Sequence, residues 1–166
     1  MKLGEGVEAA IHCAAMLAGL DEGRTLSAAA LAEYHGLSPS YLLKHLKELV
    51  HAGIFESVPG PNGGYRLADQ PSGVTLLDIV IAVEGPQPAF RCAEIRRRGP
   101  GAPDAGAFVR PCGINAAMMR ADRAWRDALA AVTLAEIVAQ YSAEADPRSL
   151  ARGCAFIERH QRPAVT

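Results

Sequence analysis

Four side chains of this 166-residue chain have the types and spacing to hold a metal. Glu8 and His12 are four apart, so on a helix a carboxylate and an imidazole share one face. The bland alternative for that pair is a surface contact contributing about 0.2–0.5 kcal/mol. Cys92 and Cys112 bracket a stretch rich in Pro and Gly. Their separation is far wider than the roughly two to four intervening residues of a zinc motif. Their surroundings say more. From Arg91 to Arg110 the chain carries five Arg against Glu94 and Asp104, and positive surroundings favour thiolate over thiol. Two inert thiols are the alternative. Cys13 follows His12 but points about 100° away round a helix, which makes it a small core residue. Cys154 carries no readable signal.

A second set of residues suits the phosphates and base edges of nucleic acid. Ser38, Ser40, Tyr41, Lys44, His45 and Lys47 lie at the start and along one side of a short helical pattern. Hydroxyls and helix-start N–H groups suit phosphate oxygens, and Lys and His further along suit a major groove. Asn62 and Arg66 follow on a Gly-rich hairpin. Charge support is thin: residues 1–70 hold five Lys/Arg and eight Asp/Glu, and the chain carries a net −1. A local patch must therefore do the work, or the segment is a helical bundle with a solvated polar face.

The elements that must position these residues follow from periodicity. Val7, Ala10, Ile11, Ala14, Leu17 and Ala18 repeat at helical spacing over 4–20. Ser27 caps a second helix that stops at Gly36, and Ser38-Pro39 opens a third with Leu42, Leu46, Leu49 and Val50 as its apolar stripe. Strands over 54–58 and 64–67 flank the turn Pro59-Gly60-Pro61-Asn62-Gly63. Helix, turn, helix and hairpin in that order make a winged helix. A short helix over 75–83 precedes a loop over 86–111, too long to be structureless without a function. One long helix is expected from Ile114 to about Ser142, followed by a short tail helix over 150–161. Met118, Trp125, Leu129 and Val132 make the long helix too apolar for solvent, so it pairs with a second copy. The expected fold class is mainly α with a small β-hairpin wing: a winged helix-turn-helix (1–85), a loop (86–112), then a dimerisation helix and tail (113–166).

Composition narrows the functions. Apolar residues at 49% and charged residues at 21% are those of a globular chain, not a disordered one. No apolar run approaches the roughly 18 residues of a membrane span. The first apolar stretch is interrupted by Glu5, Glu8 and His12, unlike a signal peptide, so a cytoplasmic location is expected. Four cysteines there read as thiols or metal ligands rather than disulfides. No nucleophile–base pair or cofactor-binding motif supports an enzyme, although iron on Glu8, His12 and cysteine would be its metal centre.

Five segments in order carry a resemblance. Gly6-Val7-Glu8-Ala9-Ala10-Ile11-His12, Leu37-Ser38-Pro39-Ser40-Tyr41-Leu42, Leu49-Val50-His51-Ala52-Gly53-Ile54, Gly60-Pro61-Asn62-Gly63-Gly64-Tyr65-Arg66-Leu67-Ala68 and Thr75-Leu76-Leu77-Asp78-Ile79-Val80 resemble the Rrf-two family of bacterial winged-helix repressors. The resemblance spans roughly residues 1–140 and implies a homodimer on double-stranded DNA with an inverted-repeat operator. Cluster-binding members usually carry three closely spaced cysteines in the loop; this chain keeps Cys92 and Cys112 alone. With Pro88-Ala89-Phe90, Glu94-Ile95-Arg96 and Arg98-Gly99-Pro100, it looks most like the RsrR-type redox-sensing subgroup. That resemblance implies a 2Fe–2S cluster, with Cys92 and Cys112 on one iron and the partner subunit's Glu8 and His12 on the other. The same kind of repressor without a cluster, sensing a small molecule or thiol oxidation, is the alternative.

Overall fold

The computed structural model describes residues 3–110 and 112–163. Helix α1 (Glu5–Leu17) packs on α4 (Leu76–Glu84) and on α3 (Pro39–His51). Helix α2 (Ala28–His35) packs on α3. Ser27 accepts a hydrogen bond from Ala30 N–H, and Ser38 accepts one from Tyr41 N–H, so each helix starts where its first orphan donors find a side-chain oxygen. Gly36 ends α2 with φ of 66°, the left-handed turn that a β-carbon would oppose. Strands β1 (Phe55–Val58) and β2 (Gly64–Leu67) pair antiparallel, with Phe55 opposite Leu67 and Val58 opposite Gly64. This hairpin is the wing. Tyr65 exchanges backbone hydrogen bonds with Leu26, which ties the wing to the chain just ahead of α2.

The core sits where α1, α2, α3, β1 and α4 meet. Leu26, Leu31, Leu42, Leu46, Leu49, Phe55 and Ile79 are fully buried there, with Cys13 among them. Burial pushes the Cys13 thiol up to about 12, so it is an inert packing group, as its angular position on α1 predicts.

The expected single helix from Ile114 to Ser142 is two helices, α5 (Gly113–Ala130) and α6 (Leu134–Glu144). The break is a capping box. Thr133 Oγ1 accepts from Glu136 N–H, and the Glu136 carboxylate accepts from Thr133 N–H at 2.7 Å. Leu134 turns into the core, and its N–H donates to Val74 O. Helix α6 therefore belongs to the winged domain, while α5, which packs on α4, has no buried residue. The tail forms α7 (Pro147–His160), capped by Asp146. The loop over 86–110 is largely irregular, with short 3-10 turns at Ile95–Arg97 and Ala105–Ala107. Among the described residues, no helix is long and apolar enough to cross a membrane.

Candidate nucleic-acid interface and ligand pairs

Helix α3 separates its residues cleanly. Leu42, His45, Leu46 and Leu49 face the core. Ser40, Tyr41, Lys44 and Lys47 face solvent, one turn apart along one side. Ser38 is exposed at the N-cap, its hydroxyl already used as a cap. His45 is a correction to the expected DNA-facing set: its ring is 8% exposed and lies against Gly6 of α1. Neither ring nitrogen has a hydrogen-bond partner among the described residues. Burial lowers its pKa, the Lys44 charge lowers it further, and Glu84 and Glu48 oppose the shift. A neutral buried imidazole is a packing group, not a base reader. The signal was in the spacing, since position 45 falls between Leu42, Leu46 and Leu49 on one helical stripe.

On the wing, Asn62 is exposed at the tip. Its carbonyl accepts from Thr25 Oγ1 at 3.4 Å. Arg66 is half-buried and paired with its cross-strand neighbour: Nε donates to Glu56 Oε2 at 2.8 Å, and Nη1 to Gly23 O at 3.5 Å. Its charge is thus paired with that of Glu56 at the surface.

The four ligand candidates come as two separate pairs. Glu8 and His12 are both exposed on α1. They border a cavity of about 390 Å³ lined otherwise by Leu3, Gly4, Glu5, Val7 and Ile11. The His12 ring lies 5.7 Å from that of His35, whose pKa is lowered by burial and then by the His12 charge. Cys92 is exposed and Cys112 half-buried, and both lie in the field of the Arg96 guanidinium. Cys112 is the N-cap of α5. The backbone N–H groups of Asn115 and Ile114 lower its thiol pKa, with Arg96 adding to the effect. Arg96 is itself held: Nε and Nη2 grip Glu94, with Nη2 at 2.9 Å, and the guanidinium lies over Phe108. Glu94 takes φ of 46°, the one positive φ at a non-glycine among the described residues, which turns the chain sharply two residues after Cys92. Among the described residues, no three His, Cys, Asp or Glu side chains gather closely enough to hold a metal within one chain.

A helix-turn-helix with its third helix presenting hydroxyls and lysines, followed at once by a two-stranded wing, defines a winged-helix DNA-binding regulator. The chain belongs to the Rrf2 family: residues 3–140 match it, under the description iron-dependent transcriptional regulator. A protein described as an HTH-type transcriptional regulator, YffB of Lactococcus lactis, is 34% identical over 82% of this chain and 86% of its own. One so described from Rhodopseudomonas palustris, BadM, is 48% identical over 37% of this chain and 39% of its own. Among solved structures, the fold is similar to CymR, the global cysteine regulator of B. subtilis, with TM-score 0.65 and 23% identity over 84% of this chain and 98% of that one. It is also similar to T. potens IscR, with TM-score 0.62 and 21% identity over 91% and 96%. The chain is a transcription regulator and not an enzyme.

Proposed function

We propose that this regulator is a homodimeric repressor that reads an inverted-repeat operator and responds to redox state through a 2Fe–2S cluster of the RsrR type. Glu8 and His12 of one protomer, with Cys92 and Cys112 of the other, are the residues that would hold it. The observation carrying this reading is that Glu8 and His12 share an exposed face of α1 while Cys92 and Cys112 share the field of Arg96, and among the described residues no three such donors gather within one chain. The donor chemistry fits. Cys112 at a helix N-terminus beside Arg96 favours the thiolate, the form that binds iron. Glu8 and His12 share one face of α1, as two ligands of one ion must. When bound, the cluster supplies a one-electron redox centre, and His and carboxylate in place of two thiolates raise its potential.

The chain's own residues do the rest. Arg96, clamped by Glu94 and Phe108, holds positive charge near both cysteines and offsets their negative charge. Helix α5 starts after Cys112 and carries Ile114, 68% exposed, and Met118, 42% exposed, with Trp125 and Leu129 half-buried further along. Val132 of the expected interface instead lies past its end, in the turn before α6, its carbonyl accepting from Leu76 N–H. An amphipathic helix with no buried residue supports pairing with its twin in a second copy. Helix α1 carries Glu8 and His12 outward and Gly6 inward against His45 of α3, so a displacement of α1 reaches the DNA-reading helix directly. The oxidised and reduced forms should then differ in operator affinity by about 1–3 kcal/mol.

The depressed thiol of Cys112, sharing the Arg96 field with Cys92, favours one second reading, a cluster-free repressor switched by thiol oxidation. Anaerobic purification with an absorbance spectrum and iron and sulfide counts separates the two. Two irons and two sulfides per cluster, lost in Cys92→Ala and Cys112→Ala, support the cluster. A colourless protein whose DNA affinity changes on thiol oxidation supports the alternative.

A further inference from the structure

We propose that the C-terminal tail is part of the DNA-reading surface and that Arg162 contacts the DNA backbone beside the wing. The family match ends at residue 140, so α7 and the residues after it lie beyond the part that the family shares. They are nevertheless docked on the winged domain. Phe156 lies 4.9 Å from the Tyr34 ring, Arg152 sits over that ring at 5.2 Å, and Gln161 bonds Asp21 at 2.7 Å. The chain then leaves α7 and pairs with Thr25: Arg162 N–H donates to Thr25 O at 2.9 Å, and Thr25 N–H donates back at 3.3 Å. Through Leu26 and Tyr65 this pairing continues into the wing.

That places the Arg162 guanidinium at the wing tip. Nη1 donates to Pro61 O at 3.0 Å and to Gly63 O at 2.8 Å, on either side of exposed Asn62. Among the described residues, Nε and Nη2 bond nothing else, and the side chain is partly exposed. A guanidinium with three N–H donors to spare suits a phosphate oxygen. The charge distribution supplies the second argument. Residues 1–70 are net negative, the wing tip over 59–63 has no cation, and Arg66 is paired with Glu56. Residues 147–163 hold four Arg and one Glu. The tail thus brings to the wing the positive charge that a DNA-binding surface needs and that the wing tip itself lacks.

The test is the salt dependence of binding by the full chain. The probe is a duplex selected from a randomised library by the unmodified protein, with a random-sequence duplex alongside. Each phosphate contact contributes about 0.9 to the slope of log K against log salt. Arg162→Ala should therefore lower the slope by about 0.9 per bound protomer, which over a fourfold rise in salt is about 3.5-fold in affinity. Arg162→Gln keeps an N–H donor for the wing carbonyls without the charge, and should lower it equally. Arg162→Lys should keep the slope. Unfolding midpoints report whether each variant is folded. Slopes unchanged in the Ala and Gln variants would overturn the proposal. So would a loss in Ala that Gln restores, because the tail would then only brace the wing.

Discussion

Replacing Gly6 by alanine sets two effects against each other where α1 meets α3. A β-carbon at Gly6 would lie 2.6 Å from His45 Nε2 and 2.8 Å from Nδ1, and closer still to Cε1. His45 is buried in the packed interface, which leaves its ring little room to move aside. Overpacking of this kind costs about 1–3 kcal/mol. Against it stands helix propensity, in which alanine exceeds glycine by at most about 1 kcal/mol. The clash wins, and Gly6→Ala should destabilise by about 0–2 kcal/mol. In a His45→Ala background the obstacle is gone, and the same substitution should stabilise by up to about 1 kcal/mol. The double-mutant cycle should then show a coupling of about 1–3 kcal/mol, well above the few tenths expected of independent sites. Urea unfolding of the four proteins at one protein concentration measures it. DNA affinity of Gly6→Ala should also fall, since His45 and the exposed lysines ride on the same helix. Equal effects of Gly6→Ala in both backgrounds would refute the packing argument and, with it, the route from α1 to the DNA-reading helix.

Lys44→Ala and Lys47→Ala should each lower the salt slope of DNA binding by about 0.9 per protomer, and an unchanged slope would remove α3 from the contact surface. Burial holds the His35 and His45 pKa values below the usual 6.5, so the folded chain keeps both neutral while the unfolded chain takes up protons. That contribution is complete above pH 6.5 and is lost as the pH falls below it; urea midpoints at pH 7.5 and 5.5 check the sign, which His45→Gln should weaken. Thr133→Ala removes the cap of α6 and should cost about 0.5–2 kcal/mol in the same assay. Met118→Asp places a charge on the exposed apolar side of α5 and should shift sedimentation from dimer to monomer; a dimer that persists would place the interface elsewhere.

Much of the winged domain was legible because its signals are local. Ser27, Ser38, Pro39 and Gly36 mark helix ends through their own backbone and side-chain chemistry, and the structure uses each of them so. The hairpin register pairs Glu56 with Arg66, which follows once the turn is placed. Two local signals were outweighed. The Thr133-x-x-Glu136 box lay inside an apolar repeat running on through Ile137, and the repeat suggests one helix where the box makes two. His45 shares the apolar stripe of α3, but its residue type suggests a ligand of DNA.

The sequence by itself determined the ends of α2 and α3, the wing, the core position of Cys13 and the placing of Glu8 and His12 on one face, because each depends on neighbours within a turn or two of the chain. Only the tertiary structure decided that Arg162 bonds carbonyls about a hundred residues away at the wing tip. It alone gathered Glu94, Arg96 and Phe108 around Cys92 and Cys112, and it alone seated His45 against Gly6. Those contacts join segments whose separation leaves no periodic trace. The Arg162 contacts form because packing Phe156 and Ile157 of α7 against the core brings the tail to the wing.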